Sequence, residues 1–463
     1  MPNAASPIDN GRLLGHLQDF LLRYPRLLAS ARVGIAISGG GDSVALAHLA
    51  SQARLHIVLL HVNYGLRGAE SEADEAFVQT LSTQLNCDIQ ILRVTPDGKS
   101  EDELRRLRYD WFATRDVDAI LTGHTRDDQA ETILVRILRG TGPVGLTGIL
   151  ESHGDRMFRP LLEATRQDLR QWLTGQGHPW REDSSNSDTD YRRNWLRNIL
   201  LPQIRAQLNP QVDSALAGLA AIARDEETWL ATLVEPLFND LVTPEAGGLV
   251  LDCERLHASP LALQRRLMRR LIERAKGDLR AVDFAHIEAA ISLALDREGN
   301  GRIQIPGLDL MRSFGLLRAV PLSALAERSP RNYRFPFQVP GEFTLPDHTG
   351  VLRSTIAAGS LYNESGSLDW EQLCAAADLE NPLELRNWRP GDAYLRSGSD
   401  HPEKVKELFQ KFRIPLWRRR TWPILVLRDS PVWVASFGPS REFAAQSDSQ
   451  LHLRLEWTPE RAS

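Results

Sequence analysis

The sequence predicts an α/β protein with a parallel-sheet catalytic domain, a helical domain and a small α+β domain at the C-terminus. Three observations predict it. The first 200 residues alternate short β-branched runs with helical stretches, a glycine-rich turn joins the first such run to a helix, and the alternation stops after about Ala215. Strands alternating with helices imply βαβ units, right-handed crossovers and a parallel sheet.

Taken in order, Leu13–Leu28 is helix-like and RVGIAIS (Arg32–Ser38) reads as a buried strand. Ser43–Ala53 is helical, His56–Val62 a strand, Glu70–Leu85 an amphipathic helix and Asp88–Val94 a strand. Glu101–Thr114 is a helix, DAILTGH (Asp118–His124) a strand and Asp127–Leu138 a helix. This catalytic domain is expected over 1–215. A helical domain over 216–330 follows from Ala215–Leu237, Pro260–Lys276 and Ala281–Leu295. Pro330, Pro336, Pro340 and Pro346 mark 331–360 as a linker or edge-strand region. Short strand-like runs such as PILVLRD and PVWVASFG, with one basic helical segment, make 361–463 an α+β module.

The length of 463 residues suits about three domains at roughly 150 residues each, and 42% apolar with 25% charged residues is ordinary for a globular chain. No stretch is apolar enough to cross a bilayer, so no membrane partner is expected. MPNAASPIDN lacks a basic region followed by an apolar run, so no secretory signal is expected. Cys87, Cys253 and Cys374 lie far apart, which excludes a CxxC pair, a cysteine-rich zinc site and a disulfide framework. A reducing cytoplasm is the simplest compartment. With 55 basic and 60 acidic residues the net charge is −5, so any polyanion partner must be met by local arginine and lysine clusters.

SGGGDS (Ser38–Ser43) follows the first strand and opens a helix. Gly39, Gly40 and Gly41 let the backbone approach a phosphate, and the helix N-terminus offers N–H groups and a positive dipole end. Ser38 and Ser43 can add hydroxyl donors. Asp42 would repel phosphate unless a divalent cation lay between them, so it implies Mg²⁺. The bland reading is a glycine-rich turn. Two decoys fail. GTGPVG (Gly140–Gly145) matches GxGxxG but follows a helix and contains Pro143, and DGKS (Asp97–Ser100) has Arg93 where a Walker loop needs glycine.

SGGGDS resembles the SGGxDS signature of the PP-loop pyrophosphatases, which cleave ATP between its α- and β-phosphates and adenylate a substrate oxygen. HVNYGLRGAES (His61–Ser71), SEDELRRLRY (Ser100–Tyr109), GHTRDDQAET (Gly123–Thr132) and RGTGPVGLTG (Arg139–Gly148) follow. RPLLEATRQDL (Arg159–Leu169), EDSSN (Glu182–Asn186) and RRNWLRNILLP (Arg192–Pro202) come next. In this order they resemble the tRNA(Ile)-lysidine synthetase family over about residues 30–205. LRNWRPGDAYLRSG (Leu385–Gly398) and Lys404–Val426 resemble that family's C-terminal domain. Tyr64 stands where the family has histidine, and Leu104 where it has alanine.

The resemblance implies ATP and Mg²⁺ as cofactors, and an isoleucine tRNA with a CAU anticodon and free L-lysine as partners. It implies that carbon 2 of the wobble cytidine is activated by adenylation and that the lysine ε-amine displaces AMP, so that the tRNA reads AUA. A homodimer is left open. The carboxylates of Asp127, Asp128 and Glu131 can share one helix face at the carboxyl end of a strand. Asp128 and Glu131 suit an ammonium host, His124 suits proton transfer or orientation, and Asp42 and Asp127 are the expected cation ligands. Asp127 and Asp128 also fit as helix-dipole complements with Thr125 as N-cap. Arg105 and Arg197 are assigned to a phosphate or a leaving group on the resemblance. Surface salt bridges are the alternative for Arg106 and Arg108.

Two basic clusters remain. Gln264–Arg280 carries seven basic and two acidic residues, and suits a solvated helix face as well as a tRNA backbone. Lys404–Arg420 interleaves Lys404, Lys406, Lys411, Arg418, Arg419 and Arg420 with Phe409, Phe412 and Trp417, and is the expected tRNA grip. The competing functions are a cytidine thiolase, which would need a cysteine pair, an NAD- or GMP-synthetase-like amide ligase, and a non-catalytic tRNA-binding protein.

Overall fold

The computed structural model describes residues 10–95, 101–182, 192–245, 247–296, 299–327, 332–346, 350–358, 367–377 and 382–459, with only the backbone of 101–102. It divides into two compact units, Met1–Leu230 and Ala231–Ser463.

The first unit runs α1 (Asn10–Arg23), α2 (Pro25–Leu28), β1 (Val33–Ala36), α3 (Gly41–Gln52), β2 (Ile57–Asn63), α4 (Ala69–Leu85) and β3 (Asp88–Arg93). It continues with α5 (Glu101–Ala113), β4 (Ala119–Thr122), α6 (Arg126–Leu138), α7 (Pro143–Leu146), β5 (Ser152–His153), β6 (Met157–Phe158) and α8 (Arg166–Gln176). Then α9 (Arg192–Trp195) passes through a π-helical turn (Leu196–Leu200) into α10 (Leu201–Gln207), and the long α11 (Val212–Leu241) begins. The single helix expected over Leu13–Leu28 is two, because Pro25 cannot continue α1 and instead starts α2.

The sheet order is β3-β2-β1-β4-β6-β5, parallel throughout except for the β5–β6 pair. Side chains alternate between two cores. Val33, Ile35, Ile57, Leu59, Ala119 and Leu121 pack with α1, α3 and α8, whereas Val58, Leu60 and Ile120 pack with Phe112 of α5. Helices therefore cover both faces, which is why these strands read as continuous apolar runs. Apart from the half-buried Asp42, helix α3 is buried from Gly41 to Ala50 because it lies against the sheet beneath α1 and α8.

In the second unit, β7 (Val242–Glu245), β8 (Gly248–Asp252), β9 (Gly301–Ile305), β10 (Leu308–Ser313) and β11 (Leu316–Pro321) form an antiparallel sheet in the order β7-β8-β11-β10-β9. α12 (Cys253–His257), α13 (Leu261–Lys276), α14 (Phe284–Leu295) and α15 (Leu322–Glu327) accompany it. The expected helical domain is thus α+β. Its helices lie where the periodicity put them, but the two-residue hairpin turns at Pro306–Gly307 and Phe314–Gly315 join strands that the sequence reading did not assign.

Residues 331–360 supply β12 (Arg334–Pro336), β13 (Gly341–Thr344) and β14 (Val351–Ala358), and β14 pairs along its whole length with the last strand. Of the two expectations for 331–360, the edge-strand one holds among the described residues, with β12 and β13 at the edges of their sheets. The remainder is β15 (Ser367–Asp369), α16 (Trp370–Ala376), β16 (Glu384–Asn387), β17 (Ala393–Tyr394), β18 (Glu403–Lys404), α17 (Val405–Lys411), α18 (Leu416–Arg419), β19 (Pro423–Leu427), β20 (Ser430–Val434), β21 (Gly438–Pro439) and β22 (Leu451–Thr458). Sheets β12-β16-β19-β20-β21 and β13-β14-β22-β15 share one core, in which Phe337 and Leu352 join Leu425 and Leu453. Among the described residues no helix is long and apolar enough to cross a membrane.

Candidate active site

From β1 the chain winds outward to β2 and β3, then returns to place β4 on the other side of β1. Connections diverge at that point, so a crevice forms beyond the carboxyl ends of β1 and β4. Ser38–Ser43 leaves β1 there, and Gly123–Thr125 leaves β4.

Gly39 has φ +91°, in the left-handed region that favours glycine, and Gly40 is the N-cap of α3 without a side chain to cap it. The first turn of α3 therefore presents its N–H groups at the crevice without a side-chain cap. The hydroxyls of Ser38 and Ser43 brace this loop. Ser43 Oγ donates to the Gly40 carbonyl at 2.9 Å and accepts from Ser38 N–H at 3.2 Å, while Ser38 Oγ accepts from Gly40 N–H at 3.3 Å.

Asp42 sits in the first turn of α3. Burial pushes its carboxyl up to about 6, against the pull of Arg166, and the nearby Asp128 charge adds to the rise. Its Oδ2 accepts from Arg166 Nε at 3.1 Å. Its Oδ1 is buried and has no hydrogen-bond partner among the described residues.

Asp128 and Glu131 face the same crevice from α6. Thr125 and Asp128 form a capping box, in which Asp128 Oδ2 accepts from Thr125 N–H at 2.9 Å and from its hydroxyl at 3.0 Å. The helix-capping reading of Asp128 is therefore correct for one oxygen. Oδ1 instead lies 3.0 Å from Arg166 Nη2 and 3.4 Å from both Arg193 and Arg197. Glu131, only 1% exposed, receives Arg193 Nε at 3.0 Å, Arg197 Nε at 2.6 Å and Arg166 Nη1 at 3.4 Å. Burial raises the Asp128 carboxyl, but the guanidinium groups of Arg166 and Arg193 outweigh it and hold the acid below its usual range. Arg166 is held well above its own usual value by these carboxylates despite burial.

Asp127 is spent differently. Its Oδ2 accepts the backbone N–H of Arg166 at 2.8 Å, and Oδ1 lies 3.7 Å from Arg205. It anchors the start of α8. Arg197, expected at a phosphate or leaving group, lies on Glu131.

His124 Nδ1 pairs with Thr122 Oγ1 at 2.8 Å. Burial depresses the imidazole to about 4, opposed by Asp128 and reinforced by Arg159, Arg193 and Arg108, so His124 is neutral near pH 7. Arg105 is exposed on α5 and stacks over Tyr109 at 5.1 Å. Tyr64, at the family's histidine position, donates its hydroxyl to the Leu104 carbonyl at 2.9 Å and ties the loop after β2 to α5. EDSSN beyond Glu182 lies outside the described residues.

Sequence reasoning missed Arg166, although a signal existed. TRQD is a capping box, with Thr165 accepting from Asp168 N–H, and it sets Arg166 at the first turn of α8. Arg193, four residues before Arg197, reaches the same two carboxylates. Beside these groups a pocket of about 650 Å³ opens, lined by Asp127, Arg166, Arg170, Thr174 and Trp180.

The two basic clusters differ. Along α13, Arg265 pairs with Glu288 at 2.7 Å, Arg270 with Glu235 at 3.0 Å, and Lys276 with Asp278 at 2.5 Å, as a solvated ion-paired face does. In the second cluster Lys404, Lys406, Lys411, Arg418 and Arg420 are exposed, with Arg418 also 2.9 Å from Glu245. Arg419 departs from expectation. It is 5% exposed, donates Nε to the Ile414 carbonyl, and lies over the Phe314 and Phe409 rings. Phe409 is a core residue as well.

Residues 15–204 match the model of the PP-loop domain, 251–317 that of the TilS substrate binding domain and 383–457 that of the TilS substrate C-terminal domain. The tRNA(Ile)-lysidine synthase of Solibacter usitatus is 41% identical over 443 residues, covering 92% of this chain and 98% of the relative. That of Geobacter sulfurreducens is 32% identical over 475 residues, covering 97% and 98%. That of Symbiobacterium thermophilum is 32% identical over 475 residues, covering 96% and 97%.

Proposed function

The chain belongs to the tRNA(Ile)-lysidine synthase family, and on that premise we propose how its own residues carry the reaction. It is an ATP-using ligase that forms lysidine on tRNA(Ile). In our reading the wobble cytidine of a CAU anticodon offers its carbon-2 oxygen to the α-phosphorus of ATP, and pyrophosphate leaves. The ε-ammonium of free lysine gives a proton to neutral His124, the freed amine attacks carbon 2, the C–O bond breaks, and AMP departs with the oxygen. Adenylation is needed because a neutral cytosine carbonyl is a poor electrophile. The cytoplasm, where tRNA, ATP and lysine meet, is the setting this reading implies.

The observation that carries the reading is the pairing of two anionic sites in one crevice. Asp42 stands at the phosphate loop with one buried, unpartnered oxygen, and Asp128 with Glu131 stands across Arg166 from it. That orphaned oxygen fits a divalent cation such as Mg²⁺, which when bound would neutralise phosphate charge. Among the described residues no three His, Cys, Asp or Glu side chains form a metal cage, so Asp42 would share the cation with phosphate oxygens. Asp127 serves better as the anchor of α8 than as a second ligand.

The loop Ser38–Ser43 binds the polyphosphate through backbone N–H groups. Asp128 and Glu131 hold the lysine ammonium, and neutral His124 orients the amine beside them. Arg193 and Arg197 hold the Glu131 side chain in place. Arg105, exposed on α5, is available to the tRNA or to a phosphate. The exposed charges of Lys404, Lys406, Lys411, Arg418 and Arg420 grip the tRNA backbone. Arg419 supports that surface from beneath.

The direct test incubates the protein with ATP, Mg²⁺, labelled lysine and a CAU-anticodon tRNA, then digests the RNA to nucleosides. Label should appear in a nucleoside with the mass of lysidine, and only with ATP. Label held instead as an alkali-labile ester at the tRNA 3′ end would contradict the reading.

A further inference from the structure

Arg166 touches both halves of the site. Its Nε lies 3.1 Å from Asp42, Nη2 3.0 Å from Asp128 and Nη1 3.4 Å from Glu131. The main chain of this residue is fixed, since its N–H is bonded to Asp127 and it opens α8 on the Thr165 cap. The side chain above that anchor has several rotatable bonds.

Arg166, Arg193 and Arg197 all reach the carboxylate oxygens of Asp128 and Glu131, so an ammonium arriving there meets acceptors that are already taken. A further cation set beside these guanidinium groups is costly unless it replaces one of them. Arg166 is the one that also bridges to the phosphate loop. A triphosphate there is a stronger anionic partner for a guanidinium fork than a shared carboxylate. A cation taking Asp42 would release Arg166 from that carboxylate as well.

We infer that Arg166 is an exchangeable counter-ion that fills the lysine ammonium's place on Asp128 and Glu131 until nucleotide phosphates draw it away. Mg·ATP and lysine then bind with positive coupling, and lysine is admitted to a site already loaded with nucleotide. The inference rests on the assignment of Asp128 and Glu131 as the lysine hosts. Arg166 acts here as a positioning residue.

Equilibrium dialysis of radiolabelled lysine against the full chain tests this without turnover, in the absence of tRNA. It is run with and without Mg²⁺ and α,β-methylene-ATP, whose α–β bridge is not cleaved. Wild-type affinity for lysine should rise about tenfold with nucleotide, within the usual range of coupling between sites. Arg166→Gln should bind lysine equally in both conditions, near the nucleotide-loaded affinity of the wild type. Arg166→Lys, which keeps the charge but not the fork, should show intermediate coupling, and carries the test if the glutamine variant does not fold. Full coupling in both variants overturns the inference. So does weakened lysine binding of Arg166→Gln in both conditions, or no lysine binding by the wild type in either. Glu131→Gln separates the two readings. Unchanged lysine affinity there sinks the host assignment itself, whereas a loss leaves it standing and the Arg166 result is judged alone.

Discussion

Gly123 and Asp42 meet backbone to backbone: a Cβ on Gly123 would lie 2.9 Å from the Asp42 carbonyl oxygen and 3.1 Å from Ser43 N. The end of β4 is thus pressed against the first turn of α3. This contact sets the distance between the phosphate loop and the carboxylates of α6.

Gly123→Ala should therefore separate the two halves of the site. The clash is with main chain, which cannot rotate away, so a stability loss of about 1–3 kcal/mol is expected. ATP affinity should fall with it. Thermal melts and nucleotide binding check this, and a variant that melts and binds like the wild type would refute the close approach.

Asp42→Asn should nearly abolish turnover in a folded protein. A neutral side chain cannot hold a cation at the phosphates, and loss of one such charge contact typically costs roughly 10²–10³ in rate. The fold should persist, because the lost charge is one that burial already disfavours. Near-normal single-turnover rates would remove the cation from Asp42.

Reversing Lys404, Lys406, Lys411, Arg418 and Arg420 to Glu should weaken tRNA binding and flatten its salt dependence. Each lost phosphate contact should lower the slope by roughly one. Arg419→Ala should behave differently, costing about 2 kcal/mol of stability through lost packing on Phe314 and Phe409. Filter binding across several salt concentrations, with melts, distinguishes the two effects.

Acid should loosen the packing of α3 on α8. His48 stacks on His178 with ring centroids 3.6 Å apart, and burial lowers His48 from 6.5 to about 4, with His178 adding to the fall. A histidine whose folded pKa is depressed favours the neutral form. Its contribution is present above pH 6.5 and is lost as pH falls from there toward about 4. The loss at pH 5 should be on the order of 1 kcal/mol once solvent screening is allowed for. Denaturant melts at pH 7 and pH 5 should show it in the wild type and less of it in His48→Phe. An equal loss in both would acquit His48.

The parallel-sheet unit was legible because its strands are short apolar runs and its helices carry clear periodicity. Asp42, Asp128 and Glu131 were legible as acids flanking a glycine loop and a strand end. Two things were hidden. The strands of 301–321 are joined by two-residue hairpins; Phe314–Gly315 punctuates the chain weakly, whereas Pro306–Gly307 is a clear turn signal that went unused beside the neighbouring helical periodicity. Arg166 is far in sequence from every acid it touches, and only the fold brings α8 to the crevice. Arg419 shows the opposite error, since RRR reads as surface although the middle arginine turns inward between aromatic rings.

The central claim is that ATP activates the tRNA base and not the lysine carboxylate. A single-turnover experiment with α-labelled ATP, omitting each substrate in turn, tests it most directly. With tRNA alone the label should pass slowly to the RNA as an adenylate with release of pyrophosphate, and added lysine should then free AMP. Lysine alone should release essentially no pyrophosphate. Asp128→Asn and Glu131→Gln should keep the adenylation and lose the transfer. Robust lysine-dependent pyrophosphate release without tRNA would contradict the account.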